Sequence, residues 1–190
     1  MIHRILIDNL NRHISLEEDE TELFCSRLRP QKIRRRELLL REGELARDSA
    51  FVVSGCMKAY STDANGFEHI LRFATPGWWV SDLSSFITQK QSRLNVEAIK
   101  DTQVLLLNRP DQLELFDRIP KLERYFRILM ENALVTTQMR LMDNMTLTAR
   151  ERYRNFCRMY PELVNEIPQK LIASFIGVTP EFLSRIRAAK

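Results

Sequence analysis

Residues 169–186 read QKLIASFIGVTPEFLSRI, and this stretch specifies the fold of the C-terminal part of the chain. Apolar residues at helical spacing precede Gly177, and a second apolar-periodic segment follows Thr179 and Pro180. Gly177 can adopt the positive φ that a short turn between helices requires. Thr179 can cap the second helix, and Pro180 suits its first position. The stretch therefore predicts a helix, a tight turn and a second helix, although a plain helical hairpin would show a similar pattern.

The second helix of this motif leaves hydrogen-bonding side chains exposed at its N-terminal end, the end that a helix-turn-helix places in the major groove of DNA. Arg185 can bond guanine O6 and N7, and Glu181 can accept from cytosine N4. An i,i+4 salt bridge between the two is the alternative. The predicted base-reading residues are Glu181, Ser184 and Arg185, and the predicted phosphate contacts are Gln169, Lys170, Thr179 and Arg187.

The excess of positive over negative charge lies at the C-terminal end of the chain. The 190 residues carry a formal net charge of +4. Residues 1–145 contain 21 Lys/Arg and 21 Asp/Glu, whereas residues 146–190 contain 8 and 4. A basic block at one end of a neutral protein favours nucleic acid as a partner, and a solvated basic face without a partner is the alternative.

A second helical segment precedes the motif. Thr148 and Glu151 form a capping-box pattern that opens a helix running to about Tyr160, where Pro161 closes it. A domain boundary is therefore predicted near residues 143–147. Too few residues lie between Tyr160 and Ile167 for a β-hairpin wing, so the wing is expected to be reduced or absent.

Residues 121–145 have the spacing of one long helix. Apolar side chains in its second half recur seven residues apart, which is the spacing of a helix that pairs with a second copy of itself. Packing of the same helix on its own domain is the alternative. The predicted dimer seam consists of Leu134, Gln138, Leu141, Met142 and Met145.

The N-terminal part reads as short strands after one helix. The pattern of Ser15 and Glu18 predicts a capped helix that ends before Pro30. Turn residues then separate six β-rich runs, and the Asn65-Gly66 pair is a strong hairpin signal. The pattern predicts an antiparallel barrel or sandwich and an α+β chain. The predicted strands are 37–40, 50–54, 57–61, 69–74, 94–99 and 102–107.

Composition excludes several classes of protein. No run approaches the roughly 18 apolar residues of a membrane span. Three cysteines without a CxxC pair argue against a disulfide framework and against a metal cluster, so a reducing cytoplasm is expected. The three histidines cannot supply the metal site of a barrel enzyme, and no catalytic or nucleotide-binding motif appears. We therefore expect neither enzymatic activity nor a metal.

The order of these elements resembles the Crp/Fnr family of bacterial transcription regulators over residues 15–188. The resemblance is specific in residues 167–187 and in the turn glycines Gly43, Gly55, Gly66 and Gly77. It implies a jelly-roll-like β-roll sensor at 1–117, a long dimerisation helix at 118–145 and an all-helical DNA-binding domain at 146–190. It further implies a cytoplasmic homodimer on a palindromic duplex with half-sites about 10 base pairs apart. RNA polymerase is a candidate partner, although no stretch of sequence marks a contact patch.

The resemblance also raises the question of cyclic AMP. Members that bind it hold the ribose with a Gly-Glu pair and the phosphate with an Arg-Ser/Thr pair; Ser81-Asp82 and Ser92-Arg93 stand at those positions. Arg93 is one residue late, which in a strand means the opposite face, and a phosphate without its arginine is poorly held. A loop bulge could still turn Arg93 inward. Thr136 and Thr137 match the adenine-contacting part of the long helix, or bond back to their own helix.

Cyclic AMP is therefore not the expected effector, and the predicted pocket is left for another small molecule or for none. An iron–sulfur sensor would need clustered cysteines, and a haem sensor would need axial ligands where His69 stands alone. The alternative to a DNA-binding regulator is a ligand-sensing β-roll that acts through a protein partner. Salt separates the two, because binding to duplex DNA weakens steeply as salt rises.

Overall fold

The computed structural model describes residues 2–188, which divide into two compact units. The first unit comprises the chain up to residue 61 together with 72–130, and the second comprises 62–71 together with 131 onward. The helices are α1 Arg4–Leu10, α2 Glu18–Ser26, α3 Leu83–Thr88, α4 Arg109–Arg118, α5 Lys121–Thr146, α6 Ala149–Met159, α7 Leu163–Glu166, α8 Gln169–Ile176 and α9 Pro180–Ala188. None of these described helices has the length and apolar character needed to cross a membrane.

Eight strands in the described residues form two antiparallel four-stranded sheets. The strands are β1 Arg29–Ile33, β2 Leu38–Leu40, β3 Asp48–Ser54, β4 Met57–Thr62, β5 Glu68–Ala74, β6 Trp79–Val80, β7 Asn95–Ala98 and β8 Thr102–Asn108. One sheet has the order β1-β8-β3-β6 and the other the order β2-β7-β4-β5. Consecutive strands alternate between the sheets except for β4 and β5, which are neighbours in the same sheet. The strands form a β-roll, and the predicted α+β class is confirmed.

The first unit is built around the two central strands β3 and β8, which are buried on both faces. Ala50 and Val52 point into the roll with Val104 and Leu106, where they meet the opposite sheet. Phe51, between Ala50 and Val52, belongs to a second cluster formed with helices α1, α2, α4 and the start of α5. The period-two alternation of a strand explains this division, since successive side chains lie on opposite faces.

All six strands predicted from the sequence are present, whereas one helix start is wrong. Helix α2 begins at Glu18 with Glu17 as its cap, and Glu20 accepts the Glu17 N–H at 2.8 Å. The predicted Ser15 and Glu18 box is therefore displaced by two residues. Lys121 Nζ lies 2.8 Å from Glu20 and favours the observed box. Pro30, expected only to end this helix, lies in β1, where an edge strand tolerates a missing N–H.

Gly55 is a position at which the fold requires glycine. Its φ is +89°, and an added Cβ would lie 2.5 Å from the Asp101 carbonyl oxygen. Gly43 has a similar φ of +88° but nothing within 4 Å of an added Cβ. Gly55→Ala is therefore expected to lower the free energy of unfolding by about 3 kcal/mol, and Gly43→Ala by only about 1, because both are strained but only one clashes. Urea unfolding followed by tryptophan fluorescence measures the difference; equal losses would contradict the clash.

The second unit has its own small core. The rings of Phe156, Tyr160 and Phe175 lie 5.5 to 5.7 Å apart by centroid and join α6 to α8. The Thr148 and Glu151 capping box opens α6 as predicted, and α6 ends before Pro161. The segment 161–168 contains the short helix α7 and no strand, in agreement with the missing wing.

Candidate nucleic-acid interface

Helices α8 and α9, joined by a tight turn at Gly177, are the two helices predicted from residues 169–186. Ile172, Ala173 and Ile176 of α8 are buried, and Leu183 of α9 is fully buried. Ala173 is a small residue on the buried face, where a larger side chain would hold the two helices apart. The apolar residues that face inward thus fix which residues of α9 face outward.

The turn between the helices has the geometry that its sequence predicts. Gly177 caps α8 in the left-handed conformation with φ +71°. The Val178 N–H donates to the Ala173 carbonyl at 3.0 Å, which closes the C-terminal turn of α8. Thr179 Oγ1 accepts the Phe182 N–H at 3.2 Å and so caps the start of α9.

The three predicted base-reading residues share one exposed face of α9. Glu181, Ser184 and Arg185 are all exposed, and their spacing of three and four places them side by side on the helix. Of the predicted phosphate contacts, Gln169, Lys170 and Thr179 are exposed as well, whereas Arg187 is half-buried. Lys190, expected near the end of this helix, lies outside the described residues.

The charged side chains Glu181 and Arg185 of α9 do not pair with each other. Glu181 and Arg185 form no ion pair within the described residues, so the salt bridge considered above is absent. Instead the Arg185 guanidinium lies 5.2 Å from the Phe182 ring centroid. The pKa of Glu181 is lowered mainly by its own backbone N–H and by the Thr179 hydroxyl, with a smaller effect of the Arg185 charge. Glu181 is therefore ionised at neutral pH.

The structure adds residues that the sequence had not indicated. Thr148 and Arg150, in the first turn of α6, line a shallow groove together with Phe182 and Arg185 of α9. Arg150 is exposed, and the N-terminus of a helix favours a phosphate. The capping box places Arg150 in the first turn of α6, but only the folded chain shows that this turn lies next to α9.

A hairpin tip from the β-rich part of the sequence contacts α8 inside the second unit. The hydroxyl of Ser174 donates to the Glu68 carbonyl and accepts the Ile70 N–H. The guanidinium of Arg140 donates to the carbonyls of Ile70 and Phe175 at 2.8 and 2.9 Å, and also to that of Leu71. Neither Ser174 nor Arg140 has a sequence signal for this contact, because the pairing joins segments far apart in the chain.

The predicted dimer seam on α5 is exposed along its whole length. Leu134 is 60% exposed, Leu141 61% and Met145 76%. Gln138 and Met142 are exposed too. A row of large apolar side chains open to water is typical of an interaction surface.

The residues predicted to line an effector pocket form hydrogen bonds with other groups of the protein. Asp82 is buried and caps α3 by accepting the Ser85 N–H. Its Oδ2 accepts the Ser92 hydroxyl at 2.8 Å and the Arg93 N–H at 3.0 Å. The Arg93 side chain is exposed, but Ser92 and Arg93 lie in the loop before β7, so the strand alternation used to predict its direction does not apply. The Ser81 hydroxyl donates to the Asp48 carbonyl.

A cavity that Ser81 lines does not include the other three residues in its wall. It has a volume of about 460 Å³ and is lined by Ser81 but not by Asp82, Ser92 or Arg93. Glu44, Arg47 and Asp48 also line it, so its carboxylates outnumber its cations. In the second unit, the hydroxyls of Thr136 and Thr137 bond back to the carbonyls of Asn132 and Ala133.

The hydrogen bonds of Asp82 predict a structural role for this side chain. Asp82→Ala is expected to lower the free energy of unfolding by about 2 to 4 kcal/mol, because it removes a helix cap and leaves buried donors without an acceptor. Ser84→Ala, at an exposed position in the first turn of the same helix, should cost less than about 0.5 kcal/mol. Urea unfolding curves of the two variants provide the test, and equal stabilities would show that the Asp82 bonds contribute nothing.

Residues 30–119 match the family of cyclic nucleotide-binding domains. This range covers the β-roll from β1 to the end of α4. A comparison with curated proteins gave no significant match.

Solved structures share the fold of the chain at low sequence identity. FixK2 from Bradyrhizobium japonicum superposes with a TM-score of 0.75 at 22% identity over 85% of this chain and 83% of that one. The catabolite activator protein of Thermus thermophilus gives 0.62 at 22% over 95% and 85%. A putative regulator of the Crp/Fnr family from Eubacterium rectale gives 0.71 at 17% over 90% and 82%. The chain therefore has the fold of these regulators.

Proposed function

We propose that the protein is a sequence-specific, DNA-binding transcription regulator of the Crp/Fnr type. The observation that carries this proposal is the exposed face of α9, which follows the tight turn at Gly177. On this face Glu181, Ser184 and Arg185 are exposed, and no ion pair joins Glu181 to Arg185 within the described residues. The fold shared with Crp/Fnr regulators supports the same function. The protein acts on DNA rather than on a chemical substrate.

The regulator works as a homodimer whose long helices pair along the seam on α5. An isologous pairing of α5 with itself covers Leu134, Leu141 and Met145 in both copies at once. Two α9 helices then address the two halves of a palindrome. Such a protein acts in the cytoplasm, where its three free cysteines stay reduced and RNA polymerase is a further candidate partner.

Cyclic AMP is not the effector of this regulator. The carboxylate of Asp82 is occupied by Ser92 and the Arg93 N–H, and the Arg93 guanidinium lies exposed. The Arg93 guanidinium is therefore not placed to hold a cyclic phosphate, and Arg47, in the cavity that Ser81 lines, is accompanied by the carboxylates of Glu44 and Asp48. Calorimetric titration of cyclic AMP into the full chain is expected to give no binding heat at millimolar nucleotide, and a saturable isotherm would contradict this part of the proposal.

The test of the function is selection of binding sites from a random duplex library by the purified protein without added nucleotide, at near-physiological salt. We expect enrichment of a palindrome with half-site centres about 10 base pairs apart. The affinity for the selected duplex should fall steeply with salt, because several phosphates are neutralised by each dimer. If neither enrichment nor a steep salt dependence is found, DNA binding is contradicted and action through a protein partner is favoured.

A further inference from the structure

A cleft in the second unit carries positive charge that the proposed DNA-reading face does not use. It has a volume of about 450 Å³ and lies between the second half of α5, helix α6 and the end of α8. This volume is in the range of sites that bind small molecules. None of the predicted base or phosphate contacts lines the cleft.

Three arginines line this cleft against one carboxylate. They are Arg140 of α5 and Arg152 and Arg158 of α6, and the carboxylate is that of Asp143. Asp143 is already engaged, since its Oδ2 accepts from Asn155 Nδ2 at 2.7 Å. The lining therefore has a formal charge of +2 and attracts anions.

Two of these guanidinium groups are held by backbone carbonyls alone. Arg140 bonds to the carbonyls of Ile70, Leu71 and Phe175, and its Nε is buried without a hydrogen-bond partner among residues 2–188. Arg152 donates to the carbonyls of Ile176 and Leu147. Neither has a carboxylate within ion-pair distance in the described part of the chain. A cation that is withdrawn from water without a counter-charge is costly, and burial lowers the pKa of Arg140 accordingly.

The rest of the cleft wall is apolar. The Phe175 ring lies 4.0 Å from the Arg140 guanidinium carbon, and Phe156 and Ile176 are buried behind it. Met139 and Met159 stand at its open edges, where methionine adapts to ligands of irregular shape. A ligand that consists of a charged group alone would leave this apolar wall exposed to water.

We propose that this cleft binds a small organic anion, with a phosphate or carboxylate head on the three arginines and a ring or short acyl chain against the phenylalanine and methionine side chains. The arginines supply fork-shaped donors that suit either head. Because α5, α6 and α8 all line the cleft, its occupant joins the long helix to the helix-turn-helix. Any effect on DNA affinity rests on the proposed function, whereas binding of the anion does not.

The proposal is tested by calorimetric titration of the full chain without DNA, so its failure is distinct from a failure of DNA binding. The probe is phenyl phosphate, with inorganic phosphate and phenol as matched controls and benzoate as the carboxylate arm. We expect phenyl phosphate or benzoate to bind roughly tenfold or more tightly than inorganic phosphate, and phenol not to bind, because both parts of the ligand are needed. Equal affinities for phenyl phosphate, benzoate and inorganic phosphate would overturn the proposal.

Two arginine variants locate the binding. Arg158→Met removes an exposed guanidinium from the cleft and is expected to weaken phenyl phosphate by roughly tenfold, since a charge-assisted contact is lost. Arg154→Met removes an equally exposed guanidinium from the same helix but outside the cleft, and should leave the affinity unchanged. Equal losses in the two variants would overturn the site in favour of general attraction to a basic surface. Thermal melts confirm that both variants are folded.

Discussion

The double variant Leu134→Glu, Leu141→Glu is expected to be a monomer and to bind the selected palindrome about a thousandfold more weakly than the unsubstituted protein. In the proposed dimer each leucine meets its counterpart on the facing helix, so the substitutions place carboxylates against carboxylates in a surface that leaves water. A monomer reads one half-site at a time and loses the effective concentration that links the two halves, which is worth about 10² to 10⁴ in affinity. Sedimentation velocity and a duplex titration measure the two effects.

Asn132→Glu is the matched control for the seam. Asn132 is exposed on the same helix, and at about 100° per residue it lies nearly opposite Leu134. Its side chain can be replaced without disturbing the carbonyl that accepts from Thr136. This variant should stay dimeric and keep its DNA affinity within about twofold. A double variant that remains dimeric would refute pairing along this seam.

Arg185→Ala should weaken binding to the selected palindrome by about thirtyfold or more while leaving binding to random duplex nearly unchanged. A bidentate arginine–guanine contact is worth about 1 to 3 kcal/mol, and the dimer contains two copies of it. Repeating the selection with the variant should relax the preference at one base pair in each half-site. Fluorescence anisotropy with the two duplexes measures the ratio directly.

Arg154→Ala removes the same charge from an exposed position on α6 and serves as the control. Its effect should be small and equal on both duplexes, because a distant charge contributes only to general attraction. If Arg185→Ala lost affinity equally for the selected and the random duplex, Arg185 would be a phosphate contact and not a base contact.

Local rules succeeded where neighbouring residues carry the information. The Gly177 turn, the Thr179 cap and the Thr148 and Glu151 box all follow from side chains that bond to the backbone a few residues away. The same rules failed at the start of α2, where Glu17 is the cap instead of the predicted Ser15. There, Lys121, about a hundred residues away in the chain, bonds Glu20 of the box that forms.

The candidate effector region was only partly predictable. The offset of Arg93 was visible in the sequence, but its exposure does not follow from that offset, because Arg93 lies in the loop before β7 and not in a strand. That Asp82 bonds Ser92 and the Arg93 N–H could not be seen, because the bonds close a loop across residues with no local pattern. The excess of arginines around Arg140, Arg152 and Arg158 is likewise a product of folding, since the first of these belongs to a different helix from the other two.

By itself, the sequence determined six of the eight described strands, the two helices on either side of Gly177 and the outward face of α9, because hydrophobic periodicity, turn glycines and caps act over one or two turns of chain. It also determined which end of the chain is basic, and it predicted a row of α5 side chains that the structure leaves exposed. Only the tertiary structure decided which distant groups satisfy one another: the carbonyls that hold Arg140, the hairpin tip that bonds Ser174, and the carboxylate of Asp82 turned inward. Such pairings depend on where separate segments meet in space, and buried polar groups must find partners wherever the fold brings them.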